Sequence, residues 1–209
     1  LAGMVPRLVG MPIPAPGDYA LGGVFGNVTV SSDGVTLRDS IISGDLYITG
    51  GVGLGGVRLE NVTVLGRIIA SGAGESEAGT ASILLRNVVA DQLLVDNLQN
   101  SFVTVQAAGI TEIGETLVRT SAYLEDNTPE GMGLKKISLE GELGTRLDLA
   151  GRIEEVTVRT PNAQVQVAKG TVNKLTVDES APDTAITIAR NAEVKELNLD
   201  VASYVSGDG

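Results

Sequence analysis

KISLEGELGTRLDLAGRIEEVTVRTPNAQVQVAKGTVNKLTVDESAPDTAITIARNAEVKELNL, residues 136–199, holds the pattern that decides the fold. Lys136, Glu155, Lys174 and Glu196 alternate in sign, and each stands one residue before a short apolar triplet: Ile137–Leu139, Val156–Val158, Leu175–Val177 and Leu197–Leu199. Upstream, Asp45, Arg67, Gln92 and Glu115 hold the same place before Leu46–Ile48, Ile68–Ala70, Leu93–Val95 and Thr116–Val118. From Glu115 onward the alternation is unbroken. Just after the triplets a second column, Asp96, Arg119, Glu140, Arg159 and Asp178, alternates as well. Residues roughly 22 positions apart have no reason to alternate unless they are stacked, where opposite charges gain about 0.2–1 kcal/mol per pair. The pattern predicts one winding ribbon, a single-stranded parallel β-helix of about eight turns. Parallel crossovers are right-handed with few exceptions, and rungs about 4.8 Å apart give a rod on the order of 40 Å long.

A second series of triplets interleaves with the first: Val35–Leu37, Val57–Leu59, Ile83–Leu85, Val103–Val105, Ala122–Leu124, Leu147–Leu149, Val165–Val167 and Ile186–Ile188. In each, the outer two residues face inward and the middle one outward. A third short strand is expected near Ile42, Val62–Val64 and Val88–Ala90, and insertions at Gly72–Thr80 and Asn127–Gly133 account for the longer spacings. Asp39, Asn61 and Asn87 each fall two residues past the interleaved triplet, where stacked Asx side chains can bond backbone at a bend. The Val/Ile/Thr-rich triplets do not extend into a 3.6-residue apolar stripe, which excludes a helical repeat. Residues 1–26 hold four of the seven prolines and no repeat, so they are expected to be an N-terminal cap or linker. The β-helix itself is expected to span 27–209.

Composition narrows the function. The 209 residues carry a net charge of −11 and include no Cys and no His. That balance disfavours nucleic acid, whose binding rests on Lys and Arg neutralising phosphates, and anionic membrane surfaces likewise. Without Cys there are no disulfides or thiolate sites, and without His the usual general base near neutral pH is missing. No apolar run approaches the roughly 20 residues of a membrane span, so membrane insertion is not expected. Aromatic residues are 3% of the chain, with no Trp, which suits a thin stacked core of aliphatic side chains.

Parallel β-helices also host polysaccharide lyases and hydrolases, whose acidic residues project from adjacent turns of one face. The outward residues of the interleaved series are Thr36, Arg58, Leu84, Thr104, Tyr123, Asp148, Gln166 and Thr187. One Asp and a distant Arg make no carboxylate pair at the roughly 5–9.5 Å that glycoside cleavage needs. The outward residues of the charge-led series bear no charge: Tyr47, Ile69, Leu94, Leu117, Ser138, Thr157, Thr176 and Asn198. No catalytic residue, cofactor or metal site is expected. Of the acidic loops, Asp178, Glu179 and Asp183, and more weakly Glu75 and Glu77, lack the density of a dedicated calcium loop. Tyr47, Ile69, Leu94 and Leu117 would form an exposed apolar stripe. Either Met4–Leu21 folds back over it, or it receives a protein partner, a second copy or a glycan.

The strings GVTLRDSIISGDLYI (34–48), GVRLENVTVLGRIIA (56–70) and SILLRNVVADQLLV (82–95) resemble a β-helix module of Gram-positive cell-surface proteins that also carry S-layer homology modules. Residues 151–199 look like the second part of that module, and the resemblance covers about residues 27–209. It implies an extracellular location and a stalk or assembly role; the residues themselves offer carbohydrate binding along a rod face, through Tyr47 or Tyr123 with polar neighbours, as an alternative. It brings no catalytic residues. No S-layer homology module lies in the chain itself. A polymerising rod like the bactofilins is a further alternative.

Overall fold

The structure, a computed structural model, describes residues 8–73, 82–97, 99 and 102–207. It is an all-β parallel solenoid of about nine turns, one more than the charge pattern predicts. On the charge-led face every triplet pairs in register with the next, from Leu46–Ile48 through Leu197–Leu199. Val28–Val30 and then Met11–Ile13 extend that stack upward. The strand Gly17–Val30 likewise pairs with Val35–Ile42 on the interleaved face. Residues 8–26 therefore form rungs of the coil, and the boundary at 27 is corrected: the prolines hide a repeat that Ile13 and Val24 carry with buried side chains.

A third face is present throughout. Its inward column runs Val24, Ile42, Val64, Ala90, Ile113 and Leu134, then Ile153, Val172 and Val194. Stacked Leu, Ile and Val from the three faces close one core, with Leu37, Leu59, Leu85, Ile68 and Leu93 fully buried. Burying such a side chain contributes about 1.5–3 kcal/mol, which makes the core column the main source of stability.

The corners explain where the faces turn. Asp39, Asn61 and Asn87 have φ of 47°, 55° and 56°, a region that Asn and Asp enter more readily than most residues. They form a ladder: Asn61 Nδ2 donates to Asp39 Oδ1 at 3.0 Å, and Asn87 Nδ2 to Asn61 Oδ1 at 2.8 Å. Asn87 Oδ1 then accepts the Ile110 backbone N–H at 3.0 Å. The amide of Asn61 and the neighbouring Arg38 guanidinium hold the Asp39 carboxyl below its usual range.

One register differs from expectation. Ile83 pairs with Val105 rather than Val103, so Gln106, not Thr104, stands beneath Leu84. Gly109 (φ 64°) takes the corner below Asn87, and this fixes the slip. A shift of two residues leaves every side chain on its own face.

Among the described residues the core contains one unpaired buried hydroxyl. Thr116 sits fully buried between Leu93 and Ile137, and its Oγ1 has no hydrogen-bond partner. Thr116→Val keeps the shape and removes the unpaired hydroxyl, so it is expected to raise unfolding free energy by about 1–2 kcal/mol in urea titration.

Candidate functional site

The coil presents faces rather than a cleft. On the charge-led face Lys136, Glu155, Lys174 and Glu196 are direct register partners, as the sequence predicts. Asp45–Arg67 and Lys174–Glu196 approach to 3.5 and 3.7 Å, and Gln92 Nε2 donates to Glu115 Oε2 at 2.8 Å. In the second column Arg119 lies 3.7 Å from Asp96, and Arg159 lies 2.8 Å from Glu140 and 4.0 Å from Asp178. These side chains are largely solvated, so each pair contributes at most about 1 kcal/mol. Glu155→Lys would stack three cations. It is expected to lower stability by about 1 kcal/mol at low salt, and most of that loss should vanish near ~1 M NaCl, where the screening length falls to about 3 Å.

Tyr47, Ile69, Leu94 and Leu117 stack in register, with Thr29 above and Ser138 below. Each is half-buried rather than exposed, because the flanking charged columns shield the stripe's edges. The Tyr47 hydroxyl donates to Asp45 Oδ2 at 3.2 Å. The expectation that Met4–Leu21 covers this stripe is corrected for the described part: residues 8–21 are rungs at the upper end, and Ile13 is buried there. Met4 and Val5 lie outside the described residues.

On the third face of the upper turns, which the sequence reading did not single out, four large apolar side chains are exposed. Phe25, Ile41, Leu65 and Val89 are 56%, 57%, 61% and 45% exposed. Ile41, Thr63 and Val89 are stacked register partners, while Phe25 follows the inward Val24 and Leu65 the inward Val64. The four thus form a patch across four rungs, bounded below by Asp91 and by Glu112, the partner of Val89. A two-residue alternation test over 40–42, 63–65 and 88–90 would have found it, since apolar residues there occupy outward positions.

On the interleaved face Thr104, Tyr123, Asp148, Gln166 and Thr187 form one outward column. Asp148 is gripped by Arg146, with Nε at 2.8 Å and Nη2 at 2.7 Å. Nη2 also donates to Gln166 Oε1 at 3.1 Å, and the guanidinium lies 5.9 Å over the Phe102 ring. Lys169 reaches Glu125 at 2.6 Å across Ala150, which stands between them in the stack. Burial, and secondarily the Glu125 carboxylate, pushes the Tyr123 hydroxyl above its ordinary value.

Among the described residues no group of three or more His, Cys, Asp or Glu is arranged to hold a metal ion. Asp178 Oδ1 accepts the backbone N–H and hydroxyl of Ser180, which together hold its carboxyl below the usual range, with Arg159 adding to the effect. Asp183 turns a corner at φ 58°. Glu75 and Glu77 lie outside the described residues. A long open groove at one corner is lined by Asp96, Asn97, Arg119, Glu142 and Leu143 and has a volume of about 510 Å³. Compared with models of protein families, with curated proteins and with solved structures, the chain finds no match. Its class is therefore defined by architecture: a parallel β-helix with paired charges along its flanks and an apolar patch on one side.

Proposed function

We propose that this chain is a rigid, non-enzymatic structural and interaction module, a β-helical stalk or assembly domain of a bacterial cell-surface protein. The observation that supports it is the division of labour among the faces. Charged side chains are spent on rung-to-rung pairing, while Phe25, Ile41, Leu65 and Val89 are left apolar and open. Exposed apolar side chains gathered on one face usually mark an interaction site. The half-buried stripe Tyr47, Ile69, Leu94 and Leu117 extends the apolar character around one corner. Placement outside the cell rests on the resemblance of 34–48, 56–70 and 82–95 to a surface module.

Labelling intact producing cells with a membrane-impermeant amine reagent tests the placement. Labelling before lysis is the expected result; a chain labelled only after lysis contradicts it. Glycan binding is the second reading, favoured by the Phe102, Arg146 and Gln166 cluster beside Tyr123. Saturable binding to purified wall polysaccharide that is lost in Tyr123→Ala would favour it over the stalk.

A further inference from the structure

The two charged columns of the charge-led face are out of phase with one another. Each rung carries one residue just before its triplet and one just after: Glu115 and Arg119, Lys136 and Glu140, Glu155 and Arg159, Lys174 and Asp178. Every one of these rungs therefore bears opposite charges on its two flanks, and the order reverses at the next rung. Vertical pairing explains the alternation within each column but not this phase. The flanks lie about 13 Å apart along an extended strand, beyond the screening length of about 8 Å at physiological salt. Within one coil, in-phase columns would be as stable. The outer sides of the charges also remain in water: the side chains of Arg119, Glu140, Arg159, Lys174 and Asp178 are 35–49% exposed.

Lay the face against the same face of a second copy, about a two-fold axis running along the rod, and each leading flank meets the trailing flank of the same rung. Glu115 then opposes Arg119 of the second copy, Lys136 opposes Glu140, Glu155 opposes Arg159 and Lys174 opposes Asp178. In-phase columns would bring like charges together at each of them. Above these rungs Gln92 meets Asp96, an amide donor against a carboxylate, while Arg67 and Asp45 meet the hydroxyls of Ser71 and Thr49. The middle column lies on the axis, so Tyr47, Ile69, Leu94 and Leu117 meet their own copies and the half-buried apolar stripe is covered. Ser138, Thr157 and Thr176 continue the column below, small enough for two sheets to approach to about 10 Å. The complementarity stops at Glu196 and Asp200, where both flanks are acidic. Antiparallel rods fit less well. With the axis between the rungs of Lys136 and Glu155, Asp96 opposes Asp200 and Leu94 opposes Asn198.

We propose that two copies of this chain associate side by side through the charge-led face, rods parallel and in register. The proposal names an occupant for the Tyr47 stripe and does not depend on cell-surface placement, so its failure would leave the stalk standing. Sedimentation of the 209-residue chain should give a dimer, and small-angle scattering should show a particle doubled in cross-section and not in length. Glu115→Lys, Lys136→Glu, Glu155→Lys and Lys174→Glu together invert the leading column. They keep its own alternation from 115 to 174 but set like charges against the second copy, so association should weaken at least about a hundredfold. Arg119→Glu, Glu140→Arg, Arg159→Glu and Asp178→Arg invert the trailing column and should do the same. Mixed, the two variants are complementary again and should form a one-to-one heterodimer, with circular dichroism unchanged throughout. A chain that stays monomeric at high micromolar concentration overturns the proposal, as does a dimer of doubled length or a mixture that fails to pair. So does a dimer indifferent to the first inversion, as antiparallel rods would be, or one dissolved by Ile41→Asp with Leu65→Asp, which would place the contact on the apolar patch instead.

Discussion

Gly151→Val is expected to cost at least about 3 kcal/mol and to leave a large fraction of the chain unfolded near 37 °C. Gly151 is stacked between Asp126 and Gly170 at a corner of the coil, with φ 85°. A Cβ there would overlap the backbone of Asp126, and one on Gly170 would overlap the backbone of Gly151 in turn. Backbone cannot swing aside as a side chain does, so the rungs would have to separate. Gly131→Ala provides the comparison. It has φ 79° but open space around it, so it bears the left-handed penalty alone, about 1–2 kcal/mol. Urea unfolding of the two variants separates strain from overlap. Equal costs would mean that the rungs are not in contact at Gly151.

Asp126→Ala is expected to cost about 3 kcal/mol. Asp126 is buried, and its Oδ1 accepts both the N–H and the hydroxyl of Thr128, at 3.0 and 2.6 Å, while Oδ2 accepts the Leu134 N–H at 2.7 Å. It ties both ends of the 127–133 insertion to the coil. Alanine leaves the buried Leu134 donor without a partner, and an unmade buried bond costs more than a made one contributes. Asp126→Asn retains one acceptor oxygen and should lose less than Asp126→Ala. Proteolysis at the insertion, compared between variants and parent, should quicken in the same order. Full resistance in Asp126→Ala would show that something else holds the loop.

Much of this architecture was legible because charge and apolar period act on different length scales. The 19-residue steps from Lys136 through Glu155 to Lys174 could be read without any knowledge of the corners, since like charges on adjacent rungs repel. The stacking of Asp39, Asn61 and Asn87 at a bend was also readable, because Asn tolerates the left-handed conformation, but Asp39 and Asn61 bond the next side chain in the ladder and only Asn87 reaches backbone as expected. The pairing of Ile83 with Val105 was not. The run VTVQAA offers the same alternation in two registers, and the choice is made by a corner glycine 24 residues away from the Asn-bearing strand's Leu85. Residues 8–26 escaped because prolines and glycines dilute the apolar period, although Ile13 and Val24 keep it. The patch at Phe25, Ile41, Leu65 and Val89 was hidden differently. Exposure is decided by which way a residue points, and on the third face only short fragments of the alternation stand out in the sequence.

The stacking of residues about two dozen positions apart underlies every surface described above, and one measurement reaches it directly. The chain has no native Cys, so paired substitutions report without background. Thr157 and Thr176 are register partners one rung apart, and Thr157 and Asn198 are two rungs apart. A disulfide needs Cα atoms about 4.4–6.8 Å apart, which one rung of about 4.8 Å allows and two rungs of roughly 9.6 Å do not. Under mild oxidation Thr157→Cys with Thr176→Cys should close into an intramolecular disulfide, and Thr157→Cys with Asn198→Cys should stay reduced. Cross-linking of the second pair in preference to the first would contradict the coil.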